Sequence, residues 1–229
     1  MPINFFNPSA PAGIVASMWD VQSSKPSTSR ERISILGPDG DETASMLYGE
    51  RETITLSCQC NAKAGGAITA PSIGEVVNGY HIDSVSLTFN ATAAPTMDVS
   101  AHKHATGASH NAAHRKYSIP SDILSTLKGG VGVPTGIAGL SLDADLADGF
   151  SQVTIALAAN HVEAPYVGTP PAIPASDNHD GSITITAEVI GDTIPAAPDG
   201  FDKTEESTSN GNTTNDTCSV TFVKHIAHD

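Results

Sequence analysis

The residues best suited to chemistry in this chain are histidines. They run His102-x-His104, then His110 and His114, within the stretch 81–117. Residues two apart on a strand share a face, so His102 and His104 can point at one ion. His110, from the segment that follows, can supply a third imidazole and complete a zinc-type set. The competing reading is plainer. A polar strand face can carry histidines into water, or stack them where two subunits meet, because spacing alone is a permissive signal. No cysteine or regularly spaced carboxylate stands beside the histidines to sharpen the metal reading.

Other candidates are weaker. Asp143-x-Asp145-x-x-Asp148-Gly149 departs from a calcium loop in spacing and lacks the closing Glu, so it reads as a capped turn. The glycines of GGVGVPTG are followed by no Lys-Ser/Thr pair and cannot be a phosphate loop. There is no G-x-S-x-G elbow, no Cys–His pairing and no paired-carboxylate signature. The expectation is therefore a protein that is not an enzyme and needs no cofactor.

The elements that must position these residues are strands. In 81–101, Val85, Leu87 and Phe89 alternate, then Met97, Val99 and Ala101. Between them a turn is expected at Ala93-Ala94-Pro95. The second strand turns Thr96, Asp98, Ser100, His102 and His104 to its other face. Further strands are expected over 32–36, 53–60, 151–160, 182–190 and from Cys218 to about Ile226. Residues 61–79 read as loop, and 200–217 as a polar, unstructured span. One short helix is expected within 118–130, capped by Ser121 or Asp122 and stopped by Gly129-Gly130. Cys58 and Cys60 fall in phase with Ile54 and Leu56, and Cys218 with Val220 and Phe222. All three are expected inside as reduced, small apolar groups.

The predicted fold is mainly β: a β-sandwich or small closed barrel with one short α-helix and long loops. Residues 1–30 read as an extended N-terminal arm, and 31–229 as one domain. That domain carries an acidic loop at 37–52 and a Pro-rich loop at 163–181. No fixed-period repeat suggests a solenoid or propeller.

Composition narrows the partners. With 25 acidic against 11 basic residues the net charge is -14, which excludes a chain that grips nucleic acid through clustered Lys and Arg. DNA is expected only as passing cargo. No stretch approaches the ~20 apolar residues of a membrane span, and no secretory signal is read at the start, so no membrane partner is expected.

The segment 80–117 resembles bacteriophage tail tube proteins and related structural proteins of contractile machines. The similarity lies in a long strand (82–89), a turn with a proline (93–95), a second strand (97–101) and a loop leading to a short helix (120–127). The acidic excursion at 37–52 would sit where such proteins carry an extended loop. The resemblance covers about half of the chain. It implies a homo-oligomer of stacked rings, usually hexameric, located in the virion beside other virion proteins and assembled in the host cytoplasm. The alternatives are a capsid decoration or baseplate protein, a metal-binding β-barrel enzyme using His102 and His104, and a surface- or glycan-binding β-sandwich module.

Overall fold

The computed structural model describes residues 13–61, 67–104, 116–127, 129, 136–137, 140–141, 149–164, 175–191, 193–209 and 216–226. In chain order the elements are β1 (Trp19–Leu36), β2 (Glu42–Cys60), β3 (Val76–Val77), β4 (Tyr80–Asn90), β5 (Ala93–His104), α1 (Ser121–Thr126), β6 (Gly136–Ile137), β7 (Leu140–Ser141), β8 (Gly149–Ala164), β9 (Ala175–Ile190), β10 (Asp202–Ser209) and β11 (Thr217–Ile226). The protein is mainly β, as expected. Its main sheet runs β1-β2-β5-β4-β8-β9-β11-β10, with β3 added beside β4, and every pair is antiparallel. Among the described residues β1 and β10 do not pair with each other. The sheet is therefore open and sandwich-like, not a closed barrel.

Alternation drives one face of this sheet into the core. Leu56, Met97, Leu87, Ile155, Ile185 and Phe222 are all fully buried there. Burying each such side chain is worth about 1.5–3 kcal/mol against leaving it in water. The same apolar cluster takes in Ile14, Ile68, Ile73, Tyr117 and Phe201 from connecting segments, and Ile123 from α1. Tyr117 is held by a backbone bridge to Ile73, and its ring lies against Gly181. A Cβ built at Gly181 would come within 2.9 Å of that ring, so only glycine fits this close approach. Cys58, Cys60 and Cys218 are buried and unbridged, as their phase implied.

The opposite face is polar. One rung crosses five strands as Thr96, Thr88, Thr154, Thr186 and Thr221. Short hydroxylated side chains tolerate water here while keeping the branched shape that strands favour.

Several boundaries differ from the expectations. β1 begins at Trp19, so 19–30 of the expected arm is an edge strand; residues 1–12 lie outside the described residues. The acidic stretch 37–52 is not a loop. It is a tight turn at 37–41, closed by Gly37 N–H donating to Asp41 O at 2.7 Å, and then the start of β2. β9 begins at Ala175, inside the expected Pro-rich loop, and 165–174 lies outside the described residues. The central turn falls at Ala91-Thr92 instead of 93–95. Asn90 Oδ1 accepts hydrogen bonds from Thr92 N–H and Oγ1, each at 3.0 Å, which fixes the bend before Ala93. Pro95 is inside β5. α1 starts after Pro120, with no side-chain cap from Ser121 or Asp122. β10, read as unstructured, is exposed along its whole length and held by backbone pairing to β11. A strand that buries neither face has no reason to alternate.

Candidate functional site

The site is built where β4 enters the sheet. Val77 and Tyr80 are joined by Asn78-Gly79, with φ of 51° and 82°. Positive φ at both central residues is the signature of the tight hairpin turn that matches strand twist, and Asn-Gly is the pair that adopts it most readily. This turn delivers Tyr80 and His81 to the end of β4. Opposite them on β5 stand His102 and Lys103, and beyond, on β2, Glu52 and Thr53.

Between Ile82 and Ser84 the register shifts, and Asp83 is the extra residue of a β-bulge. A bulge re-aims side chains and breaks the period of two. Here it turns the Asp83 carboxylate towards two imidazoles. His102 Nδ1 lies 2.7 Å from Asp83 Oδ1 and 2.9 Å from Oδ2, and His81 Nδ1 lies 3.3 Å from Oδ1. An ionised carboxylate only accepts, so Nδ1 of His102 carries a proton and donates it. The two rings are cross-strand partners, 5.2 Å apart between centroids and tilted by 43°. Both histidines are fully buried. Arg51, from β2, brings Nη2 to 3.7 Å from Asp83 Oδ2.

These contacts set the charge states of Asp83 and His102. Burial alone pushes the pKa of Asp83 up, but the hydrogen bonds from His102 and His81 outweigh it and hold the carboxyl well below the usual range. Burial pushes His102 down, more than Asp83 pulls it up, so at neutral pH the ring is neutral. The cluster is thus an anionic carboxylate between two buried imidazoles, with a guanidinium at its edge.

A second polar cluster lies back to back with the first, on the core side of the same strands. Tyr80 donates its hydroxyl to Glu52 Oε1. Lys103 Nζ is 2.9 Å from Glu52 Oε2 and 4.5 Å above the Tyr80 ring. The hydrogen bond from Tyr80, then that from Lys103, holds Glu52 below its ordinary pKa. This trio closes the end of the core, where Tyr80 is only 5% exposed.

Of the predicted metal residues, His102 sits in the first cluster. His104 pairs by backbone with Arg51, and its side chain lies outside the described residues, as does all of His110. The calcium-like stretch 143–148 is also outside them. The partners that the structure brings to His102 are His81 and Asp83, which sequence reasoning missed. Extended back from Val85, the alternation assigns His81 and Asp83 to the core side, where neither suggests a site. Two signals were available: the Asn-Gly turn, and the three-residue step from Ile82 to Val85 that betrays the bulge.

The cluster can hold a proton in a fixed place, and it can present two nitrogens and an oxygen to one ion. These three ligand atoms lie within 4.8 Å of one another, and no other such group occurs among the described residues. No protein-family model matches this chain, and no curated protein matches it either.

Proposed function

We propose that this chain is a self-assembling structural subunit of the tail tube type, joining copies of itself into rings around a channel. The observation that carries the reading is the open sheet with an available edge at each end. β1 and β10 are each paired with one neighbour among the described residues. An unpaired strand edge is a template for another chain. The order contains eight strands with antiparallel neighbours throughout, so β1 and β10 run in opposite directions. A second copy, rotated about an axis along the strands, can therefore set its β10 beside β1 and continue the antiparallel pattern.

The β1–β2 hairpin supports the same reading. β5 pairs with β2 only from Arg51 to Gln59, so among the described residues the hairpin's far half has no third strand. Near its tip Ile35 is 57% exposed and Leu36 63%. Exposed apolar side chains at the end of a projecting hairpin suit contact with a neighbouring copy. The net charge of -14 suits a wall past which DNA moves without being held.

Sedimentation and negative-stain imaging of the purified full chain test this. Rings or tubes are expected at high protein concentration and moderate salt. A chain that stays monomeric across concentration and salt overturns the reading.

A further inference from the structure

We propose that His81, Asp83 and His102 form a binding site for one divalent transition-metal ion of the zinc and cobalt class, independent of any assembly. The geometry carries it. A four-coordinate ion bound at ~2.0–2.1 Å keeps its ligand atoms roughly 3.3 Å apart. His81 Nδ1 and Asp83 Oδ1 already stand at 3.3 Å. His102 Nδ1 and Oδ1 stand at 2.7 Å, and opening them by about half an ångström admits the ion. Asp83 is the bulged residue, so its carboxylate can shift with little disturbance of the flanking ladder.

The donor set selects the ion. Two imidazoles with one carboxylate suit zinc, cobalt or nickel, whereas calcium and magnesium prefer all-oxygen shells. Both rings are fully buried, so their rotamers are held by packing. Oδ1 is the oxygen shared by the two histidines, while Oδ2 faces Arg51 Nη2 at 3.7 Å. The carboxylate thus binds the ion through Oδ1, and Arg51 orients it through Oδ2, as outer partners of metal ligands do. On binding, the proton that His102 Nδ1 donates to Asp83 moves to Nε2, so that each ring turns a bare Nδ1 to the ion. Three ligands leave a fourth position for water. The ion would pin the bulge of β4 to β5.

The test uses the full chain, free of any added histidine tag, titrated with Co²⁺ and then Zn²⁺. Expected are one ion per chain, a visible cobalt spectrum of low coordination number, and a Tm raised by about 5 °C or more at 100-fold excess over Kd. His81→Gln and Asp83→Asn should abolish all three, while the double variant His104→Gln/His110→Gln should retain them. Because substitutions in the cluster can unfold the sheet, ring ¹⁵N spectra of the unaltered chain give an independent readout. On zinc addition the Nδ1 signals of two histidines should move, those of His81 and His102. No stoichiometric ion in the unaltered chain overturns the proposal. So does binding that survives His81→Gln and is lost in the double variant, or zinc shifts confined to other histidines.

Discussion

Asp83 is a residue whose neighbours decide its worth. It accepts from two buried imidazoles and faces a guanidinium, so replacing it strips three groups of one shared partner. Removing the acceptor from buried, charged hydrogen bonds costs about 2–4 kcal/mol. Asp83→Ala should lower the unfolding free energy by that amount in urea, whereas Ser100→Ala, on the same face, should change it by under ~0.5 kcal/mol. Equal effects from the two substitutions would mean that the cluster contributes no more than ordinary surface. Cys58 allows a second test at this scale. Burial, aided by the charge of Asp98, pushes its thiol from 9.0 up to about 11. Between those values the unfolded chain has lost the proton and the folded chain has kept it. Stability should therefore be intact below pH 9 and fall by up to about 1.4 kcal/mol per pH unit as pH rises to 11. Cys58→Ala should remove that part of the slope, read by denaturation at pH 8, 9.5 and 11. The sequence made His102 legible because a run of polar residues marked its face. It hid His81 and Asp83 because a bulge cannot be read from alternation that assumes none.

At the level of elements, legibility followed burial. The strands that line the core, such as 53–60, 151–160 and 182–190, alternate because one face of each is buried, and they lie within β2, β8 and β9. β10 and the first half of β1 were missed for the converse reason, whereas 32–36, the end of β1, was expected as strand. β10 is polar throughout, and the first half of β1, SSKPSTSR, is exposed or half-buried, so backbone pairing alone defines them. The β3–β4 hairpin was missed although Asn78-Gly79 marked it, since β3 is two residues long and leaves no periodicity to see. That turn also gives a prediction. Gly79 has φ of 82° with open space around its Cα, so alanine there meets no clash and pays only for the left-handed backbone. Gly79→Ala should cost about 1–2 kcal/mol. Because the turn delivers Tyr80 and His81, the loss should come with weaker protection of the Tyr80 hydroxyl and its neighbouring amides from hydrogen exchange. A loss of stability without any change in exchange near Tyr80 would show that β3 does not position this end of β4.

At the scale of the whole molecule, the question is how a long open sheet specifies its neighbours. The edges are unlike in charge. β1 carries Lys25, Arg30 and Arg32 against Asp20 and Glu31, whereas β10 carries Asp202, Glu205 and Glu206 against Lys203. In a chain this acidic, a basic edge facing an acidic one favours β1 against β10 over either strand against itself. Pro26 restricts the register further. Proline offers no N–H, and the ladder of β1 also breaks register between Ser29 and Glu31 and between Ile35 and Leu36, so a joining strand meets β1 in short segments. Successive residues of a strand send their N–H groups to opposite sides, so Glu206→Pro and Ser207→Pro form a matched pair. One removes a donor from the ladder to β11 and should lower the Tm. The other removes a donor from the open edge and should leave the Tm within a few degrees, since β10 is exposed along its length. The variant that keeps its Tm should lose the particles seen by sedimentation and imaging. If that variant assembles like the unaltered chain, β10 is not the joining edge, and contact through the hairpin tip at Ile35 and Leu36 must carry the assembly instead. Ile35→Ser with Leu36→Ser then decides between the two, because a ring closed by strand edges should survive it and one closed by the hairpin tip should not.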